Sequence, residues 1–299
     1  MTTTSKPSKG KQLLEDIAAQ IIASIEAGAS NGVWTKPWNA ASGLPHNAST
    51  GAPYSGGNLL WLWVSALDNG YPTQVWATYK QWGQLGAQVR KGEKATSAVK
   101  WVLLECKDHD ADERCNRCGA MIPVGFSLFN AAQVDGYEPE VEQPRNLDER
   151  LEDADRFFAA VNATVTHGGN QAAFDRRRDV IMMPEFEAFE SASAYYGTLA
   201  HEMTHWTGHP SRLDRDFGKR FGDDAYAFEE LVAELGAAML CGHLQINEEP
   251  RPDHAQYLTS WLKVLKADSQ ALWTAASAAS KAAQHLIAAA SKAKVEVEA

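Results

Sequence analysis

The sequence predicts an α+β fold in two parts: an α+β domain at residues 1–135 and, at 151–299, a mainly helical domain with a small β-hairpin. The first observation is that apolar residues recur at helical spacing near the start of the chain and through most of its second half. The second is a change of composition at 136–150, where Pro139, Pro144 and a run of acids without an apolar period indicate an acidic linker. A chain of 299 residues is long enough for two compact domains.

In the first half, the leucines and isoleucines of residues 11–27 follow helical spacing, which predicts an amphipathic helix. The continuously apolar run at 60–64 is expected in the core. Residues 89–94 indicate a basic turn that leads into a strand at 97–104. Such a turn would form a natural edge for a groove that binds phosphates.

In the second half, helical spacing predicts helices at 148–162, 193–207, 225–243, 252–267 and 268–290. A β-hairpin is expected from the segments at 164–167, 172–175 and 179–183. The last of these segments is the candidate edge strand, with which an extended peptide could pair.

The most informative pattern in the chain is His201 and His205, with Glu202 between them, on the helix predicted at 193–207. Residues four apart lie on the same face of a helix, so both imidazoles can reach one metal ion. Glu202 lies about 100° further round the helix, given roughly 3.6 residues per turn, where it can contact a water on that ion. The pattern is typical of a hydrolytic zinc site.

A hydrolytic zinc ion usually has three protein ligands and one open position. One known arrangement takes its third ligand from a histidine six residues after the second, but Ser211 stands there and excludes it. The other takes a glutamate from a following helix, and the helix at 225–243 offers Glu229 and Glu230. A solvated acidic face is the alternative explanation for these carboxylates.

The spacing favours Glu230 as the third ligand, because Glu234 then stands one turn further on and can accept the outer N–H of a ligating histidine. Sequence does not separate the adjacent Glu229 and Glu230, and both stay candidates. The expected ion is Zn²⁺, with Mn²⁺ or another divalent ion as an alternative. In this reading the ion lowers the pKa of a water to about 7, and Glu202 accepts its proton as the general base.

Composition narrows the class of protein. The net charge of −10 argues against nonspecific coating of nucleic acid, although residues 34–100 carry six basic residues against two acidic ones. No apolar stretch approaches the roughly 20 residues that a membrane span needs, and the N-terminus lacks the apolar run of a secretory signal. We therefore expect a cytoplasmic protein without a membrane partner, whose four cysteines are thiols or metal ligands.

Three of the cysteines cluster with a histidine in a hydrophilic insert. Cys106 and His109 form one pair with ligand spacing, and Cys115 and Cys118 form another. This pattern suits a tetrahedral structural zinc ion, which would explain how an insert with few apolar residues stays folded. Free thiols in a loop would give the same pattern. Cys241, on an apolar helix, is expected to be a buried core residue.

Seven of the ten tryptophans lie before residue 102, several of them beside a base or an amide. Aromatic rings on which unpaired bases stack, together with lysines along the phosphates, are typical of proteins that bind single-stranded DNA. The alternative is that most of these rings belong to the core. The glycine-, proline- and lysine-rich setting favours exposure for the aromatic candidates. The candidate DNA-binding residues are Trp34, Lys36, Trp38, Tyr54, Lys80, Trp82, Arg90, Lys91 and Lys94.

The chain resembles ArdC-type antirestriction proteins in an ordered set of motifs. In the first half these are residues 34–38, 47–51, 54–58, 76–80 and 89–94, and in the second half 201–205, 208–213, 226–234 and 261–266. The similarity covers about residues 11–290. Asn58, in the third of these motifs, joins the candidate DNA-binding residues. The Cys/His insert is less familiar in this family.

The resemblance implies a plasmid-borne protein that binds single-stranded DNA and protects incoming DNA from restriction during conjugation. Its second half would be a zincin-like metallopeptidase domain whose protein or peptide substrate the motifs do not define. Two functions stay open: a metallopeptidase directed by a DNA-binding module, or a single-strand-binding protein whose zincin domain is structural or inactive. A complete set of metal ligands favours the metallopeptidase, whereas the fold alone would not favour it.

Overall fold

A computed structural model describes residues 8–29, 43–104, 119–138, 147–217, 224–246 and 254–298. Within these ranges the chain is α+β, as predicted. In chain order the elements are α1 (Lys9–Ala29), β1 (His46–Asn47), α2 (Gly56–Asp68), β2 (Val75–Ala77), α3 (Tyr79–Gln84), β3 (Gln88–Val89), β4 (Thr96–Leu103), β5 (Met121–Asn130), β6 (Val134–Asp135), α4 (Leu147–Ala160), β7 (Val165–His167), β8 (Ala173–Asp175), β9 (Val180–Met183), α5 (Ala192–Thr207), α6 (Asp224–Leu244), α7 (His254–Ala267) and α8 (Ser269–Glu298).

The first half is built on a four-stranded sheet of order β1-β2-β5-β4, beside a two-stranded pair of β3 and β6. Strands β4 and β5 form a long antiparallel hairpin, which confirms the strand expected at 97–104. Helix α1 packs against β5, and its buried face is the predicted one, with Leu14, Ile17 and Ile21 almost inaccessible.

Helix α2 contains the apolar run at 60–64, and the expectation that this run is core is confirmed. Leu60, Leu62 and Val64 are fully buried, and Trp61 and Trp63 nearly so. The indole N–H of Trp61 donates to the carbonyl of Ser97 at 2.8 Å, which fastens α2 to β4.

The second half is mainly helical, and its five predicted helices are confirmed within a few residues at most ends. Helix α4 begins at Leu147, inside the segment expected to be linker, and α8 continues to Glu298. The alanine-rich α8 packs against α6 and also against α1 and α2 of the first half. The main hydrophobic core therefore runs through both halves of the sequence without a break.

The small sheet of the second half departs from the expected arrangement. Its order is β7-β9-β8, with β9 parallel to β7 and antiparallel to β8, so the expectation of an edge strand at 179–183 is wrong. The tight turn lies between β8 and β9, where Oδ1 of Asp175 accepts from the backbone N–H groups of Arg177 and Arg178 and Asp179 adopts φ 54°. Gly168 and Gly169, both with positive φ, carry the chain from β7 away to β8 instead of turning it back directly.

None of the helices in the described part of the chain combines the length and the apolar character that a membrane crossing requires.

Candidate metal centre

Helix α5 presents the two histidines of the motif. Its N-terminus is capped by Ser191, whose hydroxyl accepts from the backbone N–H of Ala194 at 3.0 Å, and Gly208 follows its last turn. The rings of His201 and His205 lie one turn apart with their centroids separated by 4.8 Å, and both residues are buried. The helix expected at 193–207 is confirmed, and it aligns the two imidazoles on one face.

Helix α6 crosses α5 and brings a carboxylate to the same point. Oε2 of Glu230 lies 3.5 Å from Nε2 of His201, and its Oε1 lies 3.5 Å from Nε2 of His205. Ligand atoms of these three residues all lie within 4.8 Å of one another. Bonds of about 2.1 Å in a tetrahedral zinc site separate neighbouring ligand atoms by about 3.4 Å, so this donor set fits a divalent ion. His201, His205 and Glu230 could hold one metal ion.

The other two glutamates of α6 lie on the outer side of the histidines. Oε1 of Glu229 is 3.1 Å from Nδ1 of His205, and Oε2 of Glu234 is 3.7 Å from Nδ1 of His201. A carboxylate at Nδ1 fixes the tautomer and the orientation of an imidazole whose Nε2 faces a metal. Each histidine thus has one carboxylate at either nitrogen. Glu230 lies at both Nε2 atoms and Glu229 at Nδ1 of His205, whereas the sequence favoured Glu230 but kept both as candidates.

Arg215 supports this arrangement from the loop after α5. Its Nε donates to Oε2 of Glu229 at 3.0 Å and its Nη2 donates to Oε1 at 2.8 Å. Further bonds to the carbonyl of Thr204 and the hydroxyl of Thr207 fix the guanidinium against the end of α5. Sequence reasoning missed this residue. The signal that could have found it is the surplus of carboxylates on an otherwise apolar α6, which needs a compensating cation nearby.

The carboxylates change the acid–base properties of the metal-free centre. Burial alone would lower the pKa of His205, but hydrogen bonds to Glu229 and Glu230 outweigh burial and raise that pKa to about 10. For Glu229 and Glu230, burial favours the neutral acid, yet the hydrogen bonds from the histidines lower the pKa of both carboxyls, with Arg215 also acting on Glu229. Both carboxylates are therefore ionised near neutral pH, as metal ligation and its outer shell require.

The centre opens into a cleft of about 240 Å³. Glu202, which is 4% exposed, lines this cleft together with His201, His205 and Glu230. Its opposite wall is formed by Ala172, Ala173 and Phe174, which belong to or precede β8. The edge strand beside the cleft is thus β8 and not the segment at 179–183. Tyr226 also lines the cleft, one helical turn before Glu230, and only that four-residue spacing could have indicated it in the sequence.

Several candidate DNA-binding residues of the first half are occupied by other contacts. The amide of Asn58 donates to the carbonyl of Val99 at 2.6 Å and accepts from its N–H at 2.9 Å. Tyr54 is half-buried, and its hydroxyl accepts from Asn47 at 3.1 Å. The guanidinium of Arg90 is exposed but bonds Glu93 at 2.7 Å and two backbone carbonyls.

The expected exposure of Trp82 is wrong. The ring is fully buried, its N–H donates to the carbonyl of Phe129 at 3.0 Å, and Tyr137 packs against it edge-on. The capping box formed by Thr78 and Gln81 starts α3 so that Trp82 turns inward, which a count of neighbouring polar residues does not indicate. By contrast, Lys80, Lys91 and Lys94 are exposed cations.

Two sets of candidates lie outside the described residues. They are the aromatic and basic residues Trp34, Lys36 and Trp38, and the possible structural zinc ligands Cys106, His109, Cys115 and Cys118. Cys241, as expected, is buried in α6.

A two-histidine helix, a glutamate from the following helix and a small sheet at the rim of the cleft define a zincin-like domain. A family model described as a zincin-like metallopeptidase matches residues 152–278, and one described as the N-terminal domain of anti-restriction factor ArdC matches residues 11–140. The crystal structure of the metal-free antirestriction protein ArdC from plasmid R388 is similar at a TM-score of 0.77 and 38% identity, covering 94% of this chain and 98% of that one. The chain belongs to the ArdC-type antirestriction family.

Other similar proteins extend the comparison. The Mn(II)-bound structure of R388 ArdC also gives a TM-score of 0.77, at 39% identity over 93% of this chain and 98% of that one. The protein y4eC of Sinorhizobium fredii is 42% identical over 95% of this chain and 94% of its own length. A DNA primase TraC of Escherichia coli is 37% identical over 91% of this chain, which spans only 26% of that primase.

Proposed function

We propose that this protein binds single-stranded DNA and protects incoming DNA from restriction, and that its second half is a metallopeptidase. The proposed metal ligands are His201, His205 and Glu230. The observation that carries the catalytic part is the convergence of their ligand atoms at the base of a cleft that Glu202 also lines. Membership of the ArdC-type family supports the antirestriction part.

Zn²⁺ is the proposed ion, with Mn²⁺ as the alternative because one structure of R388 ArdC is Mn(II)-bound. When bound, a divalent ion would polarise the scissile carbonyl and increase the acidity of a water. Glu229 would hold the imidazole of His205 in the tautomer that leaves Nε2 free to ligate, and Glu234 lies on the corresponding side of His201 at 3.7 Å from its Nδ1. These outer carboxylates support a preorganised centre, which an accidental cluster of surface acids would lack.

Glu202 is the proposed general base. Its carboxylate lines the cleft beside the proposed ligands without being one of them, so it can accept the proton of the attacking water. The same group can return that proton to the leaving amine, or Tyr226 on the facing helix can supply it. Among the described strands, β8 has one edge without a partner, and its backbone groups can pair with an extended peptide. This edge would hold the substrate across the cleft.

The second candidate is a single-strand-binding protein whose zincin domain is structural or inactive. The main core, which joins both halves, is compatible with a structural domain. The comparison argues against a structural role for the metal ion. This chain matches the metal-free and the Mn(II)-bound R388 structures at the same TM-score of 0.77, so in that relative the fold does not depend on the ion. Because the metal ion is dispensable for folding, a catalytic role for this ion is favoured.

The test compares the wild-type protein with Glu202→Gln, and with Glu187→Gln as a control, because Glu187 is exposed between β9 and α5 and does not line the cleft. Glu202→Gln should keep a stoichiometric metal ion but lose hydrolysis of a fluorogenic peptide library by at least about 100-fold, the scale of general-base catalysis. Glu187→Gln should match the wild type. A wild-type protein that is loaded with zinc or manganese and cleaves no peptide would contradict the metallopeptidase proposal, and equal turnover in Glu202→Gln would remove Glu202 from the role of base.

The same variants separate the two candidate functions in a restriction-protection assay. If Glu202→Gln no longer protects DNA, protection depends on hydrolysis. If Glu202→Gln still protects DNA, protection depends on DNA binding.

A further inference from the structure

A second cavity, of about 1020 Å³, lies between the first half of the chain and α8. One wall is formed by β4 at Val99, Lys100 and Trp101 and by the first turn of α2, and the other by one face of α8. We call this cavity the α8 groove. It is separate from the metal cleft and from the basic turn at 89–94.

The α8 groove has an unusual charge for this chain. The protein has 38 acidic residues against 28 basic ones, yet no aspartate or glutamate is among the described residues that line the groove. Lys100 and Lys281 stand on its two walls, and both are exposed. No carboxylate of the described residues pairs with either lysine. Arg215 also reaches the groove, but Glu229 neutralises it. Lys100 and Lys281 therefore line a groove to which the described residues contribute no carboxylate.

The polar face of α8 is regular. Its exposed members recur every three or four residues, so they form one stripe along the helix, and they are Gln270, Thr274, Ser277, Lys281 and Gln284. Most of the buried residues among the described side chains of α8 are alanines. This stripe offers amides, hydroxyls and one ammonium as hydrogen-bond donors along the length of the groove.

Trp101 supplies an aromatic surface at the rim of the groove. It is 51% exposed, although tryptophan is usually buried, and it directly follows Lys100 on β4. The floor is fixed by Trp273, whose N–H donates to the carbonyl of Leu14 at 3.1 Å. The Trp273 ring lies so close to Gly57 that a Cβ there would come within 2.0 Å of it. An exposed tryptophan and two exposed lysines thus line the same groove, whose Trp273 side is closely packed.

We propose that the α8 groove binds single-stranded DNA, with phosphates at Lys100 and Lys281 and an unpaired base on Trp101. This inference rests on the proposed DNA-binding function and gives it a location formed by both halves of the chain. The combination of cations, hydroxyls and an exposed aromatic face is the chemistry that binds a single strand without sequence preference. A duplex is disfavoured, because its bases are stacked inside and would not reach Trp101. An acidic peptide would use the lysines but not the exposed ring.

The test measures binding of a fluorescent oligothymidylate by anisotropy at several salt concentrations. The double variant Lys100→Glu/Lys281→Glu should bind at least 10-fold more weakly than the wild type. A double Lys→Gln variant should lower the slope of log affinity against log salt by about 1.4, at roughly 0.7 for each phosphate contact to a single strand. Lys292→Glu is the matched control, because Lys292 is an exposed lysine on α8 outside the groove, and it should stay within about twofold of the wild type.

Trp101 gives an independent readout. Trp101→Ala should weaken binding by about fivefold or more, the lower end of what one stacked base contributes, whereas Trp101→Phe should keep most of the affinity. An oligonucleotide that contains iodouracil should form a photo-crosslink to Trp101. Thermal unfolding of each variant should match the wild type, since all these side chains are exposed.

The possible failures are distinct. If the wild type binds the oligonucleotide and neither the lysine variants nor the Trp101 variants change the affinity, the DNA binds elsewhere. That result would overturn this inference but not the proposed DNA-binding function. Absence of binding by the wild type would contradict the DNA-binding function itself. In a third outcome, oligoglutamate competes as well as oligothymidylate and Trp101→Ala binds with wild-type affinity. That result would assign the groove to acidic peptides and also overturn the inference.

Discussion

Arg215 holds the carboxylate of Glu229 by two hydrogen bonds, Nε to Oε2 at 3.0 Å and Nη2 to Oε1 at 2.8 Å. Oε1 also lies 3.1 Å from Nδ1 of His205, so the guanidinium acts on the histidine through the glutamate. Both oxygens of Glu229 are thereby engaged away from the point where the Nε2 atoms converge. The contact explains why two adjacent glutamates on one helix can have different roles.

The first prediction concerns Arg215. Arg215→Ala leaves Glu229 buried beside His205 without its cation, and loss of one partner of a buried ion pair costs on the order of 3 kcal/mol of unfolding free energy. Metal affinity should fall by about 10- to 100-fold, because an outer-shell support is lost. Arg215→Lys should recover part of both losses, since lysine keeps the charge but not the two-point contact.

These quantities can be measured by urea unfolding and by competition of the protein with a fluorescent zinc chelator. Arg178→Ala is the control, because Arg178 is exposed at the turn between β8 and β9. An Arg215→Ala protein with wild-type metal affinity would show that the contact is structural only.

The second prediction separates the two adjacent glutamates. Glu230→Gln replaces the carboxylate whose two oxygens face both Nε2 atoms, and it should abolish stoichiometric metal binding. Glu229→Gln should keep one ion per chain and weaken its affinity by about 10- to 100-fold. Metal analysis after dialysis against a known free zinc concentration distinguishes the two results. The reverse order of effects would exchange the assigned roles.

The third prediction concerns pH. In the metal-free protein the pKa of His205 is raised from 6.5 to about 10, so the protonated ring stabilises the fold fully below pH 6.5, and this contribution is lost as the pH rises towards 10. Glu229 and Glu230 have lowered pKa values, so their contribution is present above 4.5 and is lost as the pH falls below it. The metal-free protein should therefore be most stable between these limits.

Metal affinity, unlike the stability of the metal-free protein, should increase on the alkaline side, because an ion at Nε2 displaces the proton from His205. Affinity should increase with pH from 6.5 towards 10, with release of a proton on binding. Calorimetry in two buffers of different ionisation enthalpy measures that proton. Binding of the ion without proton release at neutral pH would contradict the assigned state of His205.

Much of this molecule follows from local sequence patterns. Helical spacing indicated α1, α4, α5, α6, α7 and α8, because burial of one face imposes a period near 3.6 residues. The spacing of His201 and His205 placed both rings on one face for the same reason. These features depend on a single element, and a single element is what periodicity describes.

The errors arose where several elements decide the outcome. Trp82 lies among polar neighbours in sequence, but β5 covers it in the fold. The strand at Val180–Met183 becomes central because β7 pairs with it in parallel after a long connection, and no local pattern specifies that partner. Glu229 and Glu230 differ by about 100° around their helix, so the crossing of α6 over α5 determines which of them lies at the Nε2 atoms of the two histidines. The α8 groove likewise joins segments that are far apart in the chain.

That crossing depends on Gly236, which provides the fourth prediction. A Cβ at this position would lie 2.5 Å from Cγ2 and 2.7 Å from Oγ1 of Thr204, which is fully buried on α5 between the two histidines. Gly236→Ala should push α5 from α6, which lowers the unfolding free energy by about 1 to 3 kcal/mol and separates Glu230 from His201 and His205, so metal affinity falls too.

Gly83→Ala is the control for Gly236→Ala, because a Cβ on this glycine of α3 would meet nothing within 4 Å. It should be neutral or should stabilise the fold by up to about 1 kcal/mol, since alanine favours the helix. Thermal unfolding in the presence and absence of zinc measures both effects. A Gly236→Ala protein that unfolds like the wild type and keeps its metal affinity would show that α5 and α6 can separate slightly without cost. The close helix crossing would then not be what sets the geometry of the metal centre.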